Sequence, residues 1–138
     1  MDVVKEIQLL KYQNKLLQSL VNGDEFPFFM FALNHSLNET QVNSILKVVN
    51  VFDFRLKEET DENFNKFVKQ HNEDKANLNE LGVDSNSLFK NELPTLEEFK
   101  SYVGAIYTEA FEIEYLLQSL KKQEINTKVC SYLLEQSK

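Results

Sequence analysis

With 138 residues, 42% of them apolar, the chain has the length of one domain and enough hydrophobic side chains to bury a sizeable core. Its 22 acidic against 15 basic residues give a net charge of −7, which disfavours direct nucleic-acid binding; the one short basic cluster, Lys121-Lys122, is too small to reverse that. Only 3 Gly and 2 Pro punctuate it, which predicts an all-α fold of long helices rather than a many-turned β fold.

Residues 2–21 form an amphipathic helix. Val3, Ile7, Leu10, Asn14, Leu17 and Val21 alternate in steps of four and three, the spacing of a heptad seam with Ile7, Asn14 and Val21 at one core position and Val3, Leu10 and Leu17 at the other. A second stripe, Leu9, Tyr12, Leu16 and Leu20, covers another face. Two apolar faces need two neighbours. One arrangement places the first on the chain's own core and the second on another subunit; the other keeps both inside one chain. Gly23 is suited to close this helix, because glycine enters the left-handed region without steric cost. Asp24 is placed to cap the next one, with Pro27 in its first turn. The run Phe26-Pro27-Phe28-Phe29-Met30-Phe31-Ala32-Leu33 is the most apolar in the chain. It reads as a core plug, with a ligand pocket or a base-stacking platform as the alternatives.

Asn38 and Gln41 form a capping box, and Leu37 with Val42 has the spacing of a hydrophobic staple. Val42, Ile45, Leu46, Val49, Phe52 and Leu56 then make one apolar stripe, widened by Val48 and Val51. A helix this apolar is central, so the expectation is a compact bundle of about five or six helices around a helix near residues 38–57, in a single domain spanning 1–138. From Lys57 to Leu93 the composition turns polar. Thr60 or Asp61 caps a helix carrying Phe64, Phe67, Val68 and His71; Asp84-Ser85-Asn86-Ser87 reads as a loop; and the whole segment is the candidate for mobility. Thr95 with Glu98 is a second capping box, from which Phe99, Val103, Ile106, Ala110, Ile113, Leu117 and Leu120 continue at helical spacing, with a bend near Phe111 left open. Gly104-Ala105 is a small pair at which another helix could approach closely. Asn126 breaks the run, and Val129, Tyr132, Leu133 and Leu134 give a short final helix.

Phe26-Pro27-Phe28-Phe29, a short polar break, and Leu37-Asn38-Glu39 opening a helix resemble the YhaI-like family of small Bacillus-type proteins, as does the run from Thr95-Leu96-Glu97-Glu98-Phe99 to Leu120. Together these stretches cover about half the chain. The resemblance implies an all-helical fold and self-association, and no chemistry, because that family has no activity to carry over. Two features depart from it: Ser36 stands where the family tends to have a helix-ending glycine, and the polar region from Lys57 to Leu93 is longer.

The residues that could carry chemistry do not assemble into a site. Asp61, Asn63 and Asn65 imitate half a calcium loop, but Lys66 stands at the required glycine and Asn72 at the required glutamate. His35 with Glu39, and His71 with Glu73 and Asp74, fall short of the three or four converging ligands a transition metal needs. Glu109, Glu112 and Glu114 lack the Glu-x-x-His pairs of helical di-iron sites and read as a solvated face. Cys130, the lone cysteine, has no neighbouring His or Lys to activate it and reads as a buried structural thiol. No cofactor, metal or catalytic residue is therefore expected.

Residues 1–20 carry charges throughout, without the apolar core of a signal peptide, and no window has the length to cross a bilayer, so the expected location is the cytoplasm, away from the membrane. The leading functional expectation is a non-enzymatic, homo-oligomeric helical protein that works through a protein partner, with the seam Val3, Ile7, Leu10, Asn14, Leu17 and Val21 as its self-association site. Two alternatives stand beside it. An acidic inhibitor that mimics nucleic acid would gather the carboxylates of residues 57–93 on one face. A small-ligand binder would have a cavity with converging polar groups near Phe26–Phe31.

Overall fold

Every element of the structure, a computed structural model that describes residues 2–20 and 24–138, is helical. Val21, the last member of the seam, and Gly23, the expected helix stop, lie outside the described residues. The order is α1 (Val3–Leu20), α2 (Pro27–Asn34), α3 (Glu39–Leu56), α4 (Asp61–Gln70), α5 (Asp74–Glu80), α6 (Ser85–Leu88), α7 (Leu96–Ile106), α8 (Ile113–Lys122) and α9 (Thr127–Gln136). The described residues thus hold nine helices where five or six were expected.

The central position of α3 follows from its ends and its apolar faces. Asn38 Oδ1 accepts from Gln41 N at 2.8 Å and Gln41 Oε1 accepts from Asn38 N at 2.9 Å, so both halves of the capping box are made. Leu37 and Val42, the two members of the staple, pack half-buried against the core. Ile45, Val48, Val49, Val51 and Phe52 are fully buried, which sets the helix among α5, α6, α7 and α9. The hairpin of α8 and α9 closes the far side and packs α8 on α2, burying Leu116, Leu117, Leu120, Val129, Cys130 and Leu133.

The extra helices arise from two causes. The first is a break in the long pattern from Phe99 to Leu120. Tyr107 is extended (φ −131°, ψ 107°), and its hydroxyl meets His35 Nδ1 at 3.1 Å. Gln41 Nε2 donates to the Ile106 carbonyl at 3.0 Å, satisfying an acceptor that the interrupted helix leaves free. Phe111, where a bend was left open, packs edge-on against Phe31 between the two pieces. The second cause is the polar segment, which folds as α4, α5 and α6. Thr60 caps α4, its hydroxyl accepting from Asn63 N at 3.2 Å, and the expected loop at 84–87 is a single helical turn capped by Asp84. Phe64, Leu78, Val83 and Leu88 bury this segment against the rest, and Phe67 stacks on Phe54 at 4.1 Å between ring centres.

Several helices stop in the same way. In α2, Ser36 adopts φ 53°, Ser36 N donates to Leu33 O at 3.2 Å, and Leu37 N donates to Ala32 O at 2.9 Å, which is a Schellman motif. Gly82 (φ 90°) closes α5 through the same pair of bonds, from Gly82 to Asn79 and from Val83 to Leu78, and Glu124 (φ 63°) closes α8 likewise. The small pair Gly104-Ala105 behaves differently from expectation. A Cβ added at Gly104 would meet nothing within 4 Å, so no helix approaches there, while Ala105 lies against the Gly82 turn, 3.6 Å from where a Cβ on Gly82 would sit.

Candidate interaction surface

α1 is well formed and buries none of its residues. Asp2 Oδ1 accepts from Lys5 N at 3.2 Å and Asp2 O from Glu6 N at 3.1 Å, so its first turn is capped. Nine of its large apolar side chains are exposed, from 46% for Ile7 to 82% for Leu20. Val3, Ile7, Leu10, Asn14 and Leu17 share one exposed face, and Leu9, Tyr12, Leu16 and Leu20 share the other. An isolated helix of this length is marginal in water, and single scattered apolar residues would need no explanation; two continuous apolar stripes on one unpacked helix do. The apolar surface resumes just beyond, where Phe26, Phe29 and Leu33 follow at three- and four-residue steps along the outer face of α2, with Phe26 and Phe29 stacked at 6.2 Å. The aromatic run is therefore divided. Phe28 and Phe31 plug the core as expected, while Phe26 and Phe29 face out.

The cap of α2 comes from far away in sequence. Asp24 does not occupy the N-cap position; Phe26 does, without a side-chain cap, and Gln123 Oε1 accepts from Phe28 N at 2.9 Å and Phe29 N at 3.1 Å. The end of α8 thus satisfies the start of α2 and holds its outer face in place.

The polar interior centres on Arg55, which is 1% exposed. Its guanidinium pairs bidentately with Glu98, Nη1 to Oε2 at 2.8 Å and Nη2 to Oε1 at 2.7 Å, and Nε donates to Glu92 O at 2.8 Å. The Phe52 ring lies 4.9 Å below it, and Tyr102 donates its hydroxyl hydrogen to Glu98 Oε2 at 3.2 Å. Burial opposes the charged form of Glu98, but the hydrogen bonds and charge of Arg55, with Lys90 and Tyr102 adding, hold its carboxyl below the usual carboxylate range. The Thr95–Glu98 capping box is consequently only half made: Thr95 Oγ1 accepts from Glu98 N at 3.1 Å, while the Glu98 side chain turns inward to Arg55. The cluster ties α3, α7 and the 88–93 return together. Every group in it faces a protein partner, so its role is structural.

The side chains weighed for chemistry are likewise engaged. His35 packs on Phe31 at 4.1 Å and contacts Tyr107. Lys47 Nζ lies 2.9 Å from His71 Nδ1 and 3.0 Å from Asp74 Oδ2, on the rim of a polar depression of about 500 Å³ that also includes Glu39, Asn43, Asn50 and Asn77. That depression is away from the Phe26–Phe31 run, and its one ammonium is already paired. Burial, with the Asp53 charge adding, pushes the Cys130 thiol up to about 12, which leaves it unreactive at neutral pH. Asp61, the first residue of the imitation calcium loop, accepts from Asn91 Nδ2 at 2.8 Å. Among the described residues no three His, Cys, Asp or Glu side chains come together as a metal group, and no helix is long and apolar enough to cross a membrane.

Residues 1–104, from α1 to within α7, match the profile of a family described as protein of unknown function, DUF1878. The chain belongs to the DUF1878 family. Nothing among curated proteins or solved structures matches it. The family match includes α1 and ends before α8 and α9, the hairpin that completes the core.

Proposed function

We propose that this DUF1878 protein is a non-enzymatic helical module that acts in the cytoplasm by binding protein, in a regulatory role, with α1 as its contact surface. The observation that carries this reading is α1 itself, 18 residues long with two apolar stripes and no buried residue. Burying apolar area of this kind is favourable by roughly 25 cal/mol per Å², and hydrophobic faces left open on a formed helix are the ordinary mark of a protein-binding surface. Structural partners occupy the side chains with chemical potential, His35, His71, Arg55 and Cys130, which supports a role in binding rather than catalysis. The carboxylates of residues 57–93 interleave with lysines, as Glu62 does with Lys66 and Glu92 with Lys90, so the nucleic-acid mimic has less in its favour.

Leu10→Asp/Leu17→Asp tests the reading. Both leucines are exposed, so the fold and its melting temperature should persist. Crosslinked capture from the native cell should recover a stoichiometric protein, further copies of this chain included, with the natural sequence and lose it with the variant. Recovery that is equal for both chains, or none with either, overturns the reading.

A further inference from the structure

We propose that α1 pairs with the α1 of a second copy, parallel and in register, as a two-stranded coil; this rests on the reading of α1 as a contact surface and names its occupant. The heptad places Ile7 and Asn14 at the a positions and Val3, Leu10 and Leu17 at the d positions. A β-branched residue at a with leucine at d favours two strands, and an asparagine at a selects the arrangement in which it meets its own copy. Asn14 is exposed and makes no side-chain hydrogen bond among the described residues, so its amide is free to pair across such an interface.

The flanking positions select the same orientation. Glu6 falls at g and Lys11 at e, five residues apart. In a parallel in-register pair each g residue faces the e residue five positions on in the other helix, so Glu6 meets Lys11 of the second copy, and symmetry makes the contact twice. Gln13 and Gln18 stand in the same relation and can exchange amide hydrogen bonds. Neither Glu6 nor Lys11 makes an ion pair among the described residues. In the antiparallel register that keeps the aliphatic layers stacked, Asn14 faces Leu10, and Lys11 faces Lys11 of the other copy. That arrangement strands an amide and opposes like charges.

The test uses the purified full chain, with mass measured by sedimentation equilibrium and light scattering at micromolar concentration. The expected species is a dimer. Lys11→Glu sets carboxylate against carboxylate at both flanks and should raise the dissociation constant by about tenfold or more. Glu6→Lys/Lys11→Glu restores opposite charges and should return the dimer. Lys11→Glu places a carboxylate four residues before Lys15, which favours the helix. Glu6→Lys sets an ammonium four residues after Asp2 but removes the first-turn carboxylate that the helix dipole favours, so the helicity of each variant is measured by circular dichroism alongside its mass. Asn14→Leu should associate more tightly, with masses above the dimer. A monomer at these concentrations, a dimer indifferent to Lys11→Glu, or a double variant that fails to recover overturns the proposal. A monomer that still captures another protein through Leu10 and Leu17 overturns the pairing alone and leaves the contact-surface reading standing.

Discussion

α1 and α3 are both 18 residues long and both amphipathic, yet α3 buries seven residues and α1 none. The difference lies in how the apolar residues are arranged. In α3 the run Ile45, Val48, Val49, Val51 and Phe52 makes one continuous face over nearly half the circumference, and the Asn38–Gln41 box with the Leu37–Val42 staple fixes its entry angle. In α1 glutamines and lysines divide the apolar residues into two narrow stripes, neither of which touches the body extensively. Periodicity shows that a helix wants a partner. It does not show whether that partner is in the same chain.

The largest effect that can sharpen this contrast comes from the polar anchor of α3. Glu98→Ala should cost about 3–5 kcal/mol in denaturant unfolding, because it leaves the Arg55 guanidinium buried and unpaired. The contribution has a definite pH signature. Glu98 has a folded value below its unfolded one of about 4.3, so its stabilisation is complete above that value and is lost as pH falls through the folded value. Unfolding curves from pH 7 down to pH 3 should show the natural chain losing this contribution and Glu98→Ala lacking it. Equal acid sensitivity in both would show that the pair does not govern the slope.

A matched pair of truncations compares the two helices directly. Ile45→Ala opens a cavity in a fully buried layer and should cost about 2–5 kcal/mol. Ile7→Ala, at dilution where copies are apart, should change stability by less than about 0.5 kcal/mol, as exposed positions do. A large loss at Ile7 in a dilute monomer would mean that α1 folds back on the body and would end its description as a free face.

What the sequence made legible was local. The Asn38 box, the Thr60 and Thr95 caps, the apolar stripe of α3, the buried Cys130 and the final helix all depend on residues within a few positions of one another. What stayed hidden depends on contacts across the chain. Gln123 caps α2 from the end of α8, and Gln136 Oε1 accepts from Leu96 N at 2.7 Å to cap α7. The Arg55–Glu98 pair joins residues 43 positions apart. The helix count fell short because the Phe99–Leu120 spacing runs on through the break at Tyr107, and because the polar segment marks α5 and α6 with few apolar residues. For the candidate surface, the seam could be drawn from spacing alone; its exposure could not, since the same spacing serves intrachain packing.

The cap of α3 offers a smaller test of why that helix is anchored. Asn38→Ala removes an acceptor from Gln41 N and frees the Gln41 side chain, and should cost about 0.5–2 kcal/mol. The corresponding acceptor at α1 is Asp2, exposed and single. Asp2→Ala should lower helicity at the start of α1 in hydrogen exchange and leave the melting midpoint of the body in place. A midpoint shift as large as that of Asn38→Ala would show the two helix starts to be equally coupled to the core.

The smallest effects come from two glycine substitutions that run in opposite directions and should both stabilise. Ser36 holds φ 53° at the stop of α2, a backbone conformation that costs an L-residue roughly 1–2 kcal/mol, while glycine in place of another residue gives back about 0.5–1 through unfolded-chain entropy. Ser36 is exposed, so Ser36→Gly forfeits little packing, and the net gain should be up to about 1 kcal/mol. Gly104 presents the reverse case. It lies inside α7 with open space around the position of a Cβ, so Gly104→Ala removes a helix penalty of about 1 kcal/mol without a clash. The sites are on different helices and share no contact, so the gains should add in the double variant. The order of the single effects matters as well. If Ser36→Gly destabilised, the Schellman turn would owe its geometry to something the Ser36 side chain supplies. If Gly104→Ala destabilised, something would lie against the outer face of α7, and α1 would no longer be the chief exposed surface of the molecule.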